Sequence, residues 1–590
     1  MKHFTTKSAA VMIIILMVGF LFTDVNAQYQ IRTYDLNCNN NPGFDNARSI
    51  INSMEGGYAI SGYTYAGGCG IGVFDWMFLK LQPSGLPLGA RLYGTLADDK
   101  CNSILQTKID SSYLMSGFMA DGNNFLKKAT FMNVDRSGGL KYARMIDDTV
   151  VSQYNQGCID SAKKNAFAGW KDFYLGNTLK KMEKIIVTRY NISGIMDWGH
   201  TYITMNANSV AKSYDEAQSV CFQRTDNSYG VASRTNIFSK QSNVWDIMIT
   251  RLNGSGGVLW NRTYAFNLPA THFYPNTEPR KIIPMDDGGF VVVGFTNKNV
   301  QSENDIIVLR VDAAGNLMWS GCYGNTNFIE LGQSIVFDGN TLVLTGSIKR
   351  SVTTPDAFIM KIPVTGGAAI WTSIWDRGNN LAEGGYDIVL SNTSGIPGYA
   401  VTGDASYNAQ DVFLWRTNPN GMITGSSCND SLYVQYIANE HIVKDVPMKI
   451  RKLRDKEFYP AIQNPQVTNI VRCYQTDNYE SGESDNNGTG QLQNNENIVK
   501  DYALGQNYPN PFNPTTKIMY DLPVSGIVDI KVYNSAGKEV MTLVSGMKST
   551  GRHEVVFNGS SLTSGIYYYR ITASGDGKEF TDVKKMMLIK

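Results

Sequence analysis

Acidic side chains recur along the chain at one spacing, and this pattern is the clearest candidate for a binding site. Each acid stands four residues before the serine, or its equivalent, that opens a predicted inner strand; Glu278 is one residue out of register, and the third copy has Gln153 instead. The six acids are Asp45, Asp99, Asp215, Glu278, Glu330 and Glu383. Like charges held close together favour a counter-ion, so the pattern predicts a site for calcium or a basic peptide. The alternative is that each carboxylate caps backbone N–H groups of its own loop.

Aromatic side chains are frequent in the loops that are predicted to share the same rim. They are Tyr63, Tyr65, Phe118, Trp170, Phe173, Tyr174, Phe295 and Tyr407, and the densest group is WKDFY at 170–174. Exposed aromatic rings at a rim would stack on sugars or hold a peptide. The alternative is that the rings fold back onto their own strands and belong to the core.

Motifs for other chemistry are absent from the sequence. After residue 27 the histidines are His200, His272, His441 and His553, and no HExxH, GxSxG or Walker motif occurs. The eight cysteines include no CxxC pair, which argues against a zinc site. The sequence therefore predicts no catalytic residues and no cofactor apart from calcium, and it favours binding over catalysis.

A repeated unit must position these residues. Its most regular strand appears seven times, 51 to 62 residues apart. The copies are DWMFLKL (75–81), KATFMNV (128–134), KIIVTRY (184–190), DIMITRL (246–252), DIIVLRV (305–311), DAFIMKI (356–362) and DVFLWRT (411–417). A glycine-containing turn follows each copy, and Trp198, Trp260, Trp319 and Trp371 follow their glycines by four or five residues.

A period near 50 residues with about four short strands is typical of a propeller blade. The repeated strand is almost continuously apolar, as expected of a strand covered on both faces, and the tryptophans are predicted to pack between blades. The fold class predicted for residues 28–430 is therefore all-β, a seven-bladed β-propeller. Residues 29–36, YQIRTYDL, resemble the fourth strand of a unit and are predicted to complete the last blade and close the ring.

The repeats resemble those of secreted bacterial β-propeller proteins with the pattern GGYxxxG…D…K/R…G…W…YG. The resemblance covers roughly residues 29–430. It implies the fold and is nearly silent about activity, because propellers have many functions.

The first 27 residues have the features of a secretory signal peptide. Lys2 and Lys7 precede an apolar segment from Val11 to Phe22, and cleavage is predicted between Ala27 and Gln28. No later segment is apolar enough to cross a membrane, so the mature chain is predicted to lack a transmembrane segment. The net charge of +1 argues against a nucleic-acid partner.

The chain ends in a second module. Residues 431–475 are not assigned, and residues 476–500 read as a flexible linker. Residues 501–590 show short alternating runs separated by glycine turns, which predicts a small Ig-like β-sandwich. The motif residues are Asn507, Tyr508, Pro509, Asn510, Pro511, Phe512, Asn513 and Pro514, followed by Gly565, Tyr567, Lys585 and Lys590.

These motifs resemble the type A C-terminal sorting domain of the type IX secretion system. The resemblance implies passage through the periplasm, export by the type IX machinery, and cleavage by its sortase. The product would be released or attached to surface polysaccharide. The predicted function is thus a secreted or outer-membrane surface-anchored binding propeller for glycan, peptide or matrix. The alternatives are an exported propeller-type hydrolase or lyase and a structural surface component.

Overall fold

All regular structure in the described part of the chain is β-strand. This computed structural model describes residues 30–37, 44–65, 71–121, 125–174, 181–206, 209–210, 213–238, 244–266, 276–300, 303–325, 328–350, 354–375, 382–391, 397–406, 410–423, 429–431, 435–438, 441–445, 448–458, 461–463, 466–474, 502–507, 510, 512–523, 526–548, 551–560, 562–575 and 578–589. The chain divides into two compact units, residues 1–489 and 490–590. The predicted all-β class is confirmed. No helix in the described ranges is long and apolar enough to span a membrane.

The first unit contains seven antiparallel sheets that are built from consecutive strands. The first strand, β1, is Gln30–Asn37. Sheet 1 has β2 (Phe44–Asn52), β3 (Tyr58–Tyr65), β4 (Asp75–Leu81) and β5 (Pro87–Gly94); sheet 2 has β6 (Lys100–Gln106), β7 (Tyr113–Ala120), β8 (Lys127–Val134) and β9 (Leu140–Ile146). Sheet 3 has β10 (Ser152–Ile159), β11 (Asn165–Tyr174), β12 (Lys181–Tyr190), β13 (Met196–Asn206) and β14 (Ser209–Val210); sheet 4 has β15 (Asp215–Gln223), β16 (Ser228–Thr235), β17 (Asp246–Leu252) and β18 (Val258–Phe266). Sheet 5 has β19 (Thr277–Pro284), β20 (Phe290–Val300), β21 (Glu303–Val311) and β22 (Leu317–Gly324); sheet 6 has β23 (Phe328–Asp338), β24 (Thr341–Arg350), β25 (Pro355–Pro363) and β26 (Trp371–Trp375). Sheet 7 has β27 (Glu383–Ser391), β28 (Gly398–Ser406) and β29 (Gln410–Thr417).

The N-terminal strand completes sheet 7. β1 pairs with β29 in antiparallel register, with Ile31 opposite Trp415. Sheet 7 also contacts sheet 1, because the Asp387 carboxylate accepts a hydrogen bond from the Ser49 hydroxyl at 2.9 Å. The two ends of the repeat region therefore meet, as YQIRTYDL predicts.

Hydrogen bonds link neighbouring sheets. They are accepted by carbonyl groups in the turn that follows the third strand of a sheet. Trp198, Trp260 and Trp319 each donate their indole N–H to a carbonyl in the turn of the next sheet, at 3.1 Å in every case. The Tyr264 hydroxyl donates to the Gly315 carbonyl at 2.7 Å, and the Tyr34 hydroxyl donates to Gly85 at 2.6 Å. A tyrosine-to-glycine hydrogen bond of the same kind therefore joins sheet 7 to sheet 1, through Tyr34, and sheet 4 to sheet 5, through Tyr264.

Residues 429–474 form seven further strands, and each pairs with the outer strand of a different sheet. They are β30 (Asn429–Ser431), β31 (Gln435–Ala438), β32 (His441–Asp445), β33 (Met448–Lys452), β34 (Asp455–Phe458), β35 (Ala461–Gln463) and β36 (Gln466–Tyr474). They pair in turn with sheets 6, 5, 4, 3, 2, 1 and 7, always antiparallel. We call residues 429–474 the belt, because one strand of this segment pairs with each of the seven sheets.

The second unit consists of a three-stranded and a four-stranded sheet. The first has β37 (Ala503–Leu504), β38 (Thr515–Leu522) and β41 (Gly551–Asn558); the second has β39 (Gly526–Asn534), β40 (Glu539–Lys548), β42 (Gly565–Gly575) and β43 (Lys578–Leu588). Along β38 buried and exposed residues alternate, so that Ile518 and Tyr520 enter the core while Lys517 and Met519 face outward. That alternation is the one expected of a sheet with a single buried face.

Candidate functional site

One irregularity recurs in the innermost strand of all seven sheets. At the same place in each strand the pairing register shifts, leaving one extra residue that has no direct partner on the next strand. The seven extra residues are Arg48, Asn102, Asn155, Gln218, Arg280, Gln333 and Tyr386. A β-bulge of this kind re-aims a side chain and is often found beside a functional site. All seven residues have long or polar side chains.

These seven side chains line one cavity of about 530 Å³. Residues from every sheet contribute to its wall, so the cavity is surrounded by the inner strands of the whole set. Its size falls in the range of small-ligand sites, roughly 300–1,000 Å³. The other lining residues are Ser49, Tyr63, Lys100, Phe118, Lys127, Val151, Gln153, Gln156, Trp170, Lys281, Ser334 and Asp387.

The cavity carries a strong excess of positive charge. Its lining includes five cationic side chains, which are Arg48, Lys100, Lys127, Arg280 and Lys281. Asp387 is the one carboxylate among the lining residues of the described chain. The chain as a whole has a net charge of only +1, so the excess is a local property of this cavity.

Asp387 is already fully engaged by the protein. Its Oδ1 accepts from the Ser334 hydroxyl at 2.6 Å and lies 3.3 Å from the Lys281 ammonium. Its Oδ2 accepts from the Ser49 hydroxyl at 2.9 Å and from the Ile50 backbone N–H at 3.1 Å. This carboxylate joins sheet 7 to sheets 1, 5 and 6. It therefore serves as a structural link between inner strands.

Arg48 is held by two phenol rings. Its guanidinium donates to the Tyr63 hydroxyl at 2.7 Å and lies over the Tyr386 ring, 4.3 Å from the centroid. Burial raises the pKa of the nearby Asp404 carboxyl to about 6, and the charge of Arg48 opposes that rise. Lys100 has a related environment, with its ammonium 4.6 Å from the Tyr63 centroid. Contacts of this type orient cations without neutralising them.

The structure places the six predicted acids outside the lining of the cavity, and all six are buried. Asp45 accepts from the Leu36 N–H at 2.6 Å, Asp99 from the Ala120 N–H at 2.8 Å, and Glu330 from the Asn325 N–H at 3.0 Å. A buried carboxylate needs such donors, and backbone N–H groups close by supply them. Asn325 lies in the loop before Glu330, as the capping alternative describes, whereas Leu36 belongs to β1 and Ala120 to β7.

Two of the six acids are bound by cationic side chains instead. Asp215 forms a fully buried ion pair with Lys184 at 2.5 Å, and Glu278 binds Arg234 at 3.0 Å. Glu383 is buried at the start of β27. In the described ranges no three His, Cys, Asp or Glu side chains gather as metal ligands. Calcium binding by these acids stays a prediction.

Burial perturbs the protonation of the acids in sheets 1 and 2. It raises the pKa of Asp99 to about 7 and that of Asp75 to about 6. For Asp99, hydrogen bonds from Ala120 and Thr95 oppose the rise, and the charge of Asp75 adds to it. The carboxyl of Asp99 is therefore partly protonated near neutral pH.

Three of the eight predicted rim aromatics line the cavity, namely Tyr63, Phe118 and Trp170, and of these Tyr63 and Phe118 are themselves largely buried, at 7% and 6% exposure. Phe173 and Phe295 are buried, as the core alternative states, and Tyr65 and Tyr174 are exposed but lie outside the lining. Tyr407 lies outside the described residues. The spacing of the acids and aromatic residues did not point to Tyr386 or to the cations of the cavity. A usable signal exists, because the bulged residue lies three positions after the acid in Asp45–Arg48, Asp99–Asn102, Asp215–Gln218, Glu330–Gln333 and Glu383–Tyr386.

In the second unit the sorting-motif residues contact the last strand. The Asn510 side chain donates to the Lys585 carbonyl at 3.2 Å and accepts from the Met587 N–H at 2.9 Å. Phe512 is buried and exchanges backbone hydrogen bonds with Met587 and Ile589, at 2.9 and 3.0 Å. The motif and the strand near the C-terminus thus form one structural element.

The remaining motif residues occupy varied positions. Asn507 is buried and its backbone N–H donates to the Tyr569 hydroxyl at 2.7 Å. Asn513 is exposed, Pro514 accepts from the Gly559 N–H at 2.8 Å, Gly565 begins β42, and the Tyr567 hydroxyl donates to Thr563 at 2.8 Å. Ala27, Gln28, Tyr508, Pro509, Pro511 and Lys590 lie outside the described residues.

Comparison with known families decides what this second unit is. Residues 506–588 match the family of the secretion system C-terminal sorting domain. The chain carries a type IX sorting domain. The protein is therefore secreted or attached to the outer-membrane surface, and its sorting domain points to the type IX secretion machinery as a partner.

Solved structures with similarity to the chain share little sequence with it. One is PorZ from Porphyromonas gingivalis, described as a surface component of the type IX secretion system (10% identity, 92% of this chain and 81% of that chain covered, TM-score 0.23). Another is an apocarotenoid oxygenase variant from Synechocystis (7%, 70% and 93%, TM-score 0.30). A third is a family 43 arabinoxylan arabinofuranohydrolase from Bacillus subtilis (11%, 74% and 95%, TM-score 0.23). No curated protein matches the sequence.

Proposed function

We propose that this chain is an exported seven-bladed β-propeller that binds its ligand in the central cavity of the ring. In this proposal the seven sheets are the blades, β1 closes the ring, and the ligand is a glycan, a peptide or a matrix component at the cell surface. The second unit is an Ig-like sandwich that carries the type A sorting signal. It directs the folded protein through type IX export after a signal peptide has taken it into the periplasm.

The observation that carries the proposal is the seven bulges at equivalent positions. A bulge disrupts the strand ladder locally and gains nothing for the stability of a single sheet. All seven bulges lie at equivalent positions in their strands, and each places a side chain in the wall of the same cavity. Their common role is therefore to build the wall of this cavity. The wall they make combines aromatic surface from Trp170 and Phe118 with amides that can donate and accept hydrogen bonds.

The hydrolase alternative has less support from this cavity. Glycoside hydrolysis generally uses a pair of carboxyl groups that flank the scissile bond. Among the described residues the lining contains one carboxylate, Asp387, and four protein donors surround it. Binding is therefore the better proposal for these residues.

Release by the sortase and attachment to surface polysaccharide are also part of the proposal. They follow from the resemblance of the motif at 507–514 and of the last strand to type IX sorting domains. Attachment would place the cavity at the cell surface, where extracellular glycans and matrix components are available as ligands.

Array binding with matched variants tests the proposal. The protein from Gln28 onward is applied to glycan and matrix-protein arrays as wild type, as Trp170→Ala and as Tyr174→Ala. We expect wild type and Tyr174→Ala to bind the same ligands and Trp170→Ala to lose them at least tenfold, because Trp170 lines the cavity and the exposed Tyr174 on the same strand does not. Unchanged binding by a folded Trp170→Ala protein contradicts the cavity as the site.

A further inference from the structure

The lining cations divide into two classes by their partners. Lys281 contacts Asp387, and Lys127 lies 3.3 Å from Asp98. Arg48 and Lys100, in contrast, contact phenol and phenyl groups, including the Phe74 ring at 4.8 Å from Lys100. Two cationic side chains from adjacent sheets therefore face the same cavity with aromatic groups as their direct contacts, and Asp404 is the carboxylate whose charge acts on Arg48.

Arg280 adds a third cation from the far side of the ring. Its guanidinium lies over the Phe295 ring at 5.0 Å from the centroid, and its nearest carboxylate, Glu278, is 3.7 Å away and is shared with Arg234. Its Nε is buried and has no hydrogen-bond partner among the described residues. Burial lowers the pKa of Arg280. The charge of Glu278 opposes this shift, and the charges of Arg234 and Arg48 lower the pKa further. Arg48 and Arg280 both line this cavity, and their like charges act on each other unfavourably.

We propose that the cavity binds an anionic glycan, with Arg48, Lys100 and Arg280 receiving a carboxylate or sulfate group of the sugar. This inference rests on the proposed function and names the ligand class for the same site. Guanidinium groups match the geometry of such oxyanions with paired N–H donors. An anion between Arg48 and Arg280 would also relieve the repulsion between them.

A glycan fits the cavity better than an acidic peptide does. Extended peptides bind along sheet edges or in open grooves, whereas this cavity is walled by residues from all seven sheets. The remaining wall supplies Asn102, Asn155, Gln218 and Gln333. Amides both donate and accept hydrogen bonds, as sugar hydroxyls do.

Isothermal titration calorimetry with defined probes tests the ligand class. The protein from Gln28 onward is titrated with tetragalacturonate, with a sulfated tetrasaccharide, with neutral cellotetraose and with a hepta-glutamate peptide. We expect heat with at least one anionic saccharide, affinity at least tenfold weaker for cellotetraose and the peptide, and weaker binding at 300 mM than at 50 mM salt. The two anionic saccharides distinguish a uronate from a sulfate ligand.

Variants locate the binding. Arg280→Gln and Lys100→Gln should each weaken anion binding at least tenfold, Arg280→Lys should retain part of it, and Arg136→Gln, an exposed arginine on an outer turn, should leave it unchanged. No binding of either anionic saccharide by wild type, stronger binding of the peptide, or full affinity in folded Arg280→Gln and Lys100→Gln proteins overturns the inference. If Trp170→Ala abolishes array binding while both cation variants keep it, the ligand class is refuted and the proposed function survives.

Discussion

At the scale of single residues, the fold uses its acids as internal connectors. Asp387 contacts four donors from sheets 1, 5 and 6, and Asp99 accepts hydrogen bonds from Thr95 in the preceding loop and from Ala120 on β7. Spacing alone identifies these acids as special, but it cannot distinguish a carboxylate that faces a ligand from one that faces backbone N–H groups. These two kinds of carboxylate differ in burial, and the burial of a side chain cannot be determined from the residues next to it in the sequence.

Asp99 should give the unfolding free energy a measurable pH dependence. Its folded pKa of about 7 is above its unfolded value, so the native state binds the proton more tightly. The resulting stability is fully present below pH 4 and is lost as pH rises to about 7, at up to ~1.4 kcal/mol per pH unit. Asp99→Asn cannot titrate, so we expect its stability relative to wild type to increase between pH 5 and pH 7.5.

Urea unfolding followed by tryptophan fluorescence measures this effect, and all nine tryptophans lie in the first unit. Asp110→Asn is the control. Hydrogen bonds from Lys141, Thr107 and Ser112 lower the pKa of Asp110 in spite of burial, so its contribution is constant over this pH range. Parallel pH profiles for wild type and Asp99→Asn would refute the assignment.

At the scale of elements, the belt explains how the seven sheets of the first unit protect their outer edges. Without it, β5, β9, β13, β18, β22, β26 and β1 would each present an unpaired edge, which is a template for pairing with other chains. β36 covers β1 over eight residue pairs, from Gln30 opposite Tyr474 to Asn37 opposite Gln466. The other six belt strands have three to five residues, and each depends on an outer strand that is already in place.

Removing the belt should make the first unit associate with itself. A chain that ends at residue 489 keeps the belt, whereas a chain that ends at residue 423 lacks all seven belt strands. We expect the longer chain to elute as a monomer in size-exclusion chromatography and the shorter chain to form oligomers or precipitate, because its outer edges are free. A monomeric and equally stable shorter chain would show that the belt is dispensable for edge protection.

At the scale of the whole molecule, the two units divide the work between them. The first unit contains the cavity, and the second unit contains the sorting signal that determines where the cavity is delivered. In the second unit the motif and the last strand are held together by Asn510 and Phe512. Export should therefore depend on the second unit and ligand binding on the first.

Deleting the second unit should stop export while leaving the first unit folded. In the native host we expect the full chain at the cell surface or in the medium and the chain ending at residue 489 in the periplasm, as measured by fractionation and immunoblotting. Native tryptophan fluorescence of the purified short chain serves as the control for folding. Surface delivery of the short chain would contradict the role of the sorting domain.

The sequence by itself determined the all-β class, the pairing of β1 with the last sheet of the repeat region, and the secreted or surface localisation. Each of these depends on local patterns, such as the apolar run of DIIVLRV or the glycine turn and tryptophan after it. Such patterns can be recognised in the sequence without knowing which distant residues are close in space. Trp170, Tyr63 and Phe118 were also identified in this way as binding residues to test.

Only the tertiary structure decided which residues line the cavity and that residues 429–474 pair with the outer strands of the sheets. Arg48, Lys100 and Arg280 come from sheets 1, 2 and 5, and they share a site because the inner strands of these sheets line the same cavity. The belt strands, several only three to five residues long, are too short to show a period of their own. Their conformation is set by the outer strands that they pair with, and those edges exist only after the sheets have formed.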